Sequence, residues 1–250
     1  MRNILAITGI STAGKTYIAR ALPQLQFFEL VSYTTRPVRA GELPGCDYHY
    51  VDDLFFDERQ DDFVDIDSLS GYRYGLLRSD LETALSSGLV PCHVCTPAGV
   101  EALQKLQSEL KFNLISLWVD VPEQVALYRM CKRWSADPKH NLPYLASRIA
   151  NLFSVERGWS GCYHYVASDS NEFIASADAL VSMLVRGDKP VAETRINPRS
   201  VIDHHHAFTA ILDRLRSVSA PRNHQEILAL SELIAGDIDL RKTPQKTIPL

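Results

Sequence analysis

Apolar runs and helical stripes alternate along the first three quarters of the chain. Ile4-Leu5-Ala6-Ile7 is an unbroken apolar run, the mark of a buried strand, and 16–22 behind it has the make-up of a helix closed by Pro23. Val90-Pro91-Cys92-His93-Val94-Cys95-Thr96 reads as a second buried strand. Residues 100–110 then carry Leu103, Leu106 and Leu110 on one helical face, and 114–119 predicts a further strand. Asp120 is read as the N-cap of the next helix, with Pro122 suited to its first turn, and that helix spans 123–133. Residues 163–167 predict the last core strand and 171–185 a closing helix. Strand and helix alternating in this way indicate an α/β fold.

Beyond about residue 186 the alternation stops. Gly187, Pro190 and Pro198 mark a linker. Residues 203–218 then show Phe208, Ile211, Leu212 and Leu215 at helical spacing, and 223–235 shows Ile227, Leu228, Leu230 and Ile234 before Gly236. These predict a helical hairpin turning at Pro221, packed on the core or on a partner, with a loose tail over 241–250.

Composition narrows the classes. With 250 residues and 46% apolar, the chain can bury the core of one large domain, or of one domain with an appendage. A net charge of −4 suggests no nucleic-acid and no membrane-surface partner. The five cysteines follow no framework and no apolar run is long enough to span a bilayer, so a reducing, cytoplasmic setting is expected. Cys92 and Cys95 flank His93, but no second ligand pair follows at useful spacing, and both are read as core cysteines. The run His204-His205-His206 after Asp203 is read as an exposed first helical turn for the same reason.

The first candidate chemistry lies between the first strand and helix. Gly9-Ile10-Ser11-Thr12-Ala13-Gly14-Lys15-Thr16 fits the pattern Gly, four residues, Gly, Lys, Ser/Thr, in the strand-loop-helix setting that a P-loop needs. Its glycines let successive backbone N–H groups curl around a phosphate, and the helix that follows points its positive end inward. Lys15 is placed to reach the β- and γ-phosphates of a nucleoside triphosphate, and the Thr16 hydroxyl to meet a phosphate-bound Mg²⁺.

A second anion site is suggested by Val31-Ser32-Tyr33-Thr34-Thr35-Arg36-Pro37-Val38-Arg39-Ala40-Gly41-Glu42, running on to Asp47-Tyr48-His49-Tyr50-Val51. Guanidinium groups grip phosphate oxygens in pairs and hydroxyls add neutral donors. By itself the stretch reads almost equally well as a basic surface loop.

The pattern Ser-x-Thr-Thr-Arg-Pro-x-Arg-x-Gly-Glu-x-x-Gly-x-Asp-Tyr-x-x-Val, standing after a P-loop, resembles the acceptor-nucleotide signature of guanylate kinases over roughly residues 1–185. The resemblance implies an α/β fold of P-loop NTPase type: a parallel sheet flanked by helices, with an inserted acceptor-binding subdomain, a helical lid and, peculiar to this chain, the C-terminal helical extension. The boundaries expected are 1–186 for the kinase-like domain, 32–95 for the acceptor subdomain, about 130–150 for the lid, and 187–250 for the extension.

Carried over by position, Gly9, Ser11, Thr12, Ala13, Gly14, Lys15, Thr16 and Arg129 would bind ATP, and Ser32, Arg36, Arg39, Tyr48 and Tyr74 the acceptor phosphate. Arg133 and Arg148 would close over the transferring group beside Lys15 and Arg36, with 135–143 as the tip of the lid and Ser168-Asp169 near the adenine. The base-reading positions depart from the family. Asp65 stands where a glutamate is usual, Leu76 where a hydroxyl is usual, and Val94 and Thr96 where two aspartates are usual. Trp134 replaces the glycine that commonly follows the second lid arginine.

The implied function is ATP-dependent phosphorylation of GMP, dGMP or a related nucleotide with Mg²⁺. The departures keep open a kinase for another phosphorylated acceptor, such as a modified nucleotide or a ribose bisphosphate. A catalytically inactive protein-binding module is a third reading, against which Lys15 and Thr16 stand. The C-terminal helices leave room for a homo-oligomer or a protein partner.

Overall fold

The first strand places its side chains alternately on two faces, and both faces are covered. In the computed structural model, which describes residues 2–22, 26–39, 41–135, 142–167, 178–188 and 193–197, β1 (Arg2–Gly9) is buried from Asn3 to Gly9. Leu5 and Ile7 enter one apolar cluster, Ile4 and Ala6 the other. This is the pattern expected of a central parallel strand.

β1 lies in the middle of a five-stranded sheet with β2 (Phe27–Leu30), β7 (Val90–Val94), β8 (Phe112–Val119) and β10 (Tyr165–Ala167), in the order β10-β8-β1-β7-β2. Every neighbouring pair is parallel. One face is covered by α1 (Lys15–Ala21), α5 (Glu123–Ser135), α6 (Leu142–Ser154) and α7 (Asp178–Arg186), through residues such as Ile18, Met130, Trp134, Ile149 and Leu184. The other is covered by α3 (Arg78–Ser86) and α4 (Pro97–Leu110), through Leu81, Ala84, Val100 and Leu103.

Between β2 and α3 the chain builds a separate four-stranded sheet, β4-β3-β6-β5, from β3 (Tyr33–Thr34), β4 (His49–Tyr50), β5 (Phe63–Leu69) and β6 (Tyr72–Leu77), with the short α2 (Asp53–Glu58) packed beside it. Its small core is aromatic: Phe56 and Phe63 stack at 4.7 Å, and Tyr33 stacks on Phe55 at 5.2 Å.

Two expectations need revision. The strand anticipated over 163–167 is broken at His164, so that β9 (Gly161–Tyr163) leaves the main sheet and pairs with an unanticipated β11 (Thr194–Ile196). His164 Nδ1 accepts from both the Ser116 N–H and Oγ, at 3.0 and 2.9 Å, supplying the hydrogen bonds that a continuous strand would have made. The segment from 187 onward is therefore not purely linker and helix: Gly187 ends α7 with φ of 79°, and β11 follows within eight residues. Asp120, between β8 and α5, accepts from the Trp118 indole N–H at 3.3 Å and lies outside the cavity described below.

Asn3 ties the end of α7 to the sheet. Its amide donates to the carbonyls of Leu184 and Asp188, each at 3.1 Å, and accepts from Asn113. No helix among the described residues is long and apolar enough to cross a membrane. The tip of the expected lid (136–141), Ser168-Asp169, the two C-terminal helices and the histidine run lie outside the described residues.

Candidate active site

The loop that joins β1 to α1 is shaped by its backbone. Gly9 stands at φ of 140°, and a Cβ there would come within 2.5 Å of the Val119 carbonyl oxygen, so only glycine lets the end of β1 lie against β8. Gly14, at φ of 106°, starts α1 from the left-handed region. Thr12 has φ of 60°, costly for a β-branched residue, and its hydroxyl is engaged with the carbonyls of Ser11 and Ala126, each at 2.6 Å.

Lys15 bends back over this loop. Its ammonium donates to the carbonyls of Gly9 and Ile10 at 2.8 and 2.9 Å. Burial, helped by the nearby Arg148 and Arg133 charges, pulls its pKa down to about 8, although Glu156 opposes the shift. Glu156, 1% exposed, is a residue that sequence reading missed. Its carboxylate accepts from the Ser11 backbone N–H, the Ser11 hydroxyl and the Asn151 amide, and so braces the loop from behind. The hint in sequence was an acidic residue eight positions after Arg148 at the end of an apolar helix, too weak a signal to separate it from a surface glutamate.

Two further arginines, Arg36 and Arg39, come from the turn after β3. Arg36 is 3% exposed, and its guanidinium takes Glu42 in a two-pronged bond, both distances 2.9 Å, while lying over the rings of Tyr48 and Tyr50. Burial works against its charge, but Tyr74, Glu42 and Tyr48 outweigh that and raise its pKa. Glu42, also missed, additionally accepts from the Arg39 backbone N–H and the Tyr50 hydroxyl at 2.9 and 2.7 Å. Burial alone would raise its pKa. The hydrogen bonds of Tyr50 and Arg39 and the charge of Arg36 reverse the shift, so Glu42 stays ionised and fixes the arginine pair.

Arg39 reaches the Tyr144 hydroxyl of α6 at 3.3 Å, yet its Nε–H is buried with no partner. A buried N–H left empty is costly, and an anion is the natural group to fill it. Burial keeps the phenols of Tyr48 and Tyr74 protonated, with Tyr74 pushed up to about 12, so both serve as hydroxyl donors.

α5 and α6 contribute three more arginines. Arg129 donates to the carbonyls of Thr12 and Ala13, at 3.4 and 3.1 Å. Arg148 donates to the Ser11 hydroxyl and, at 3.4 Å, to Ser70. Arg133 is exposed by surface area, yet the protein around its guanidinium, with the charges of Arg39 and Arg148, pushes its pKa down.

These groups face one cavity of about 510 Å³. Gly9, Ser11, Thr12, Gly14, Lys15, Thr16, Ser32, Arg36, Arg39, Tyr48, Asp65, Tyr74, Thr96, Arg129, Arg133 and Arg148, all singled out from sequence, line it. Two expected members do not. Ala13 is fully buried beneath the loop. Leu76, opposite Asp65 in the register of β5 and β6, is fully buried in the cluster with Leu81 and Ala84 instead of lining the cavity. Its backbone N–H helps hold the Asp65 carboxylate.

Sequence reading also passed over His93, Cys95 and Asp67, which line the same cavity. Cys92 is a core cysteine, as expected, whereas Cys95 sits in the cavity wall with a thiol that burial holds well above its usual pKa. Burial pushes His93 down to about 4, so it is neutral.

Thr96 sits at the mouth of β7, caps α4 by accepting from the Gly99 N–H at 3.3 Å, and donates to Asp67. Asp65, half-buried, has its pKa raised to about 6 by burial and by the nearby Asp67. The cavity therefore holds both the cations of the loop and arginines and the two carboxylates Asp65 and Asp67.

Comparisons with known proteins agree with this geometry. The family model described as guanylate kinase matches residues 1–180. A guanylate kinase of Thermus thermophilus is 32% identical over 158 residues, covering 57% of this chain and 72% of that protein. That of Sphingopyxis alaskensis is 28% identical over 190 residues, covering 74% and 82% respectively. A crystal structure of guanylate kinase from Anaplasma phagocytophilum superposes with a TM-score of 0.51 at 19% identity, covering 77% of this chain and 90% of that one, which speaks for the fold. The P-loop in its strand-loop-helix setting, the second arginine site lining the same cavity and the family match over residues 1–180 together place this chain among the phosphotransferases of the guanylate kinase family.

Proposed function

We propose that the chain transfers the γ-phosphoryl group of ATP to GMP or dGMP. The observation that carries this reading is one cavity lined by both the loop lysine and a second, independent arginine pair, with the buried Arg39 Nε–H lacking a partner. Two phosphate-gripping sites in one cavity of about 510 Å³ suit a donor triphosphate and an acceptor monophosphate meeting end to end.

In this reading Lys15 leaves the Gly9 and Ile10 carbonyls for the donor phosphates, and Arg36, Arg39, Tyr48 and Tyr74 hold the acceptor phosphate. Arg133 and Arg148 neutralise charge on the transferring group, with about 130–150 serving as a lid and 32–95 as the acceptor subdomain. Phosphoryl transfer of this kind rests on positioning and electrostatics and needs no covalent enzyme intermediate. The exposed Thr16 hydroxyl, beside Lys15 in the cavity wall, fits a Mg²⁺ carried on the triphosphate. Held there, the metal would offset the charge that develops on the phosphoryl oxygens.

An ADP-release assay with ATP and Mg²⁺ tests the reading across GMP, dGMP, AMP, dTMP, dCMP, UMP and ribose 1,5-bisphosphate, with Lys15→Ala as the blank. Turnover of GMP or dGMP well above the blank is expected. Preference for another acceptor would favour the second reading, a kinase for a different phosphorylated compound, to which the uncharged Val94 and Thr96 at the end of β7 lend support.

A further inference from the structure

The acceptor end of the cavity contains a carboxylate that the phosphoryl-transfer chemistry does not use. Asp65 and Asp67 lie two residues apart on β5 and so project from the same face of the strand. Both converge on the first turn of α4. Asp67 accepts the Thr96 hydroxyl hydrogen, and Thr96 in turn accepts from the Gly99 N–H. The Asp65 carboxylate lies so close over Gly99 that a Cβ there would be 2.8 Å from its Oδ2. The end of β7 itself brings no carboxylate: Val94, Cys95 and Thr96 occupy it. The negative groups at this end of the pocket therefore come from the neighbouring sheet, and Thr96 is the post to which the second of them is fixed.

Two acceptors held side by side in the wall of the cavity that the arginines also line select a ligand edge with two donors pointing the same way. The guanine edge offers N1–H and the exocyclic 2-amino group. The hypoxanthine edge offers N1–H alone, and adenine presents an acceptor at N1. We infer that Asp67, fixed by Thr96, is a specificity-determining residue that together with Asp65 reads the 2-amino-purine edge of the acceptor nucleotide. This rests on the nucleotide-acceptor reading above and adds to it which residue discriminates.

The test compares GMP with IMP, which lacks only the 2-amino group. Wild type, Asp67→Asn and Asp67→Ala are measured for kcat/KM on each, and binding of each nucleotide is read separately by calorimetry. Asp67→Asn keeps the size of the side chain and an oxygen for Thr96, so it stands in should the alanine variant fold poorly. A hydrogen bond to a charged group removed from one substrate alone is expected to lower the GMP-to-IMP ratio by about 10- to 100-fold, mostly by loss on GMP.

If Asp67 merely anchors β5 to α4, both variants lower the melting temperature and leave the ratio unchanged, which overturns the inference. If wild type binds GMP in preference to IMP but transfers nothing, the proposed reaction fails while the binding ratio still decides the role of Asp67. A wild type that binds neither nucleotide overturns both.

Discussion

Lys15 and Asp65 show how the residues of this site are tuned before any ligand arrives. With its pKa near 8, Lys15 is partly neutral in mildly alkaline solution. A bound polyphosphate favours the ammonium and raises that value, so binding takes up a proton at high pH. ATP affinity is therefore expected to be full below about pH 8 and to fall as pH rises beyond it, by up to about tenfold per unit. Titration calorimetry in buffers of different ionisation heat reads this directly, and Lys15→Ala should abolish the dependence while lowering kcat by about 100- to 1,000-fold.

Asp65 runs the opposite way. Its pKa near 6 falls when a ligand donates hydrogen bonds to the carboxylate, so acceptor affinity is full above pH 6 and declines as pH drops through it. Asp65→Asn should flatten that acidic limb; an unchanged pH profile for GMP binding would show that Asp65 does not meet the ligand. The lysine and the arginines were legible as single letters because their motifs are dense. Glu42, Glu156 and Asp67 were not, since each acts only through a partner far along the chain or across a turn: Arg36, Ser11 and Thr96.

At the scale of elements, the site depends on where β1 stops. The Gly9 Cα lies against Val119 of β8, and substitution by alanine forces a Cβ to 2.5 Å from a backbone oxygen at a φ that alanine avoids. Gly9→Ala should cost about 2–4 kcal/mol in urea unfolding, well beyond a surface change, because neither backbone can yield without moving the sheet. Asn3 makes a comparable claim at the other end of the strand. Asn3→Ala leaves the carbonyls of Leu184 and Asp188 and the Asn113 amide without a partner, and about 1–3 kcal/mol of stability should be lost.

Most core elements were readable from apolar runs and helical stripes. The break at His164 and the pairing of β9 with β11 were not, because a three-residue strand has no periodicity to detect and the break is made by a side chain of one strand serving the backbone of another.

Across the whole molecule, two walls that are remote in sequence meet over the cavity. Arg39 touches Tyr144, Tyr72 and Tyr144 have ring centres 5.5 Å apart, and Arg148 reaches Ser70. The same meeting crowds like charges, for Arg133 feels both Arg39 and Arg148. Removing it should therefore raise the melting temperature of the ligand-free protein while lowering kcat, the trade expected of a cation held for a ligand. If Arg133→Ala melts lower or leaves kcat intact, Arg133 is not held in this way.

The chain by itself determined the loop sequence that curls around phosphate, the alternation that makes a parallel core and the arginine-rich turn, because these depend on local spacing and backbone preference. Only the tertiary structure decided that Leu76 packs inward while Asp67 joins Asp65 on the cavity wall, and that Glu156 braces the loop from behind. Those placements follow from which side chains the main domain covers and from which buried polar group can find a partner, and both are settled only when distant segments pack together.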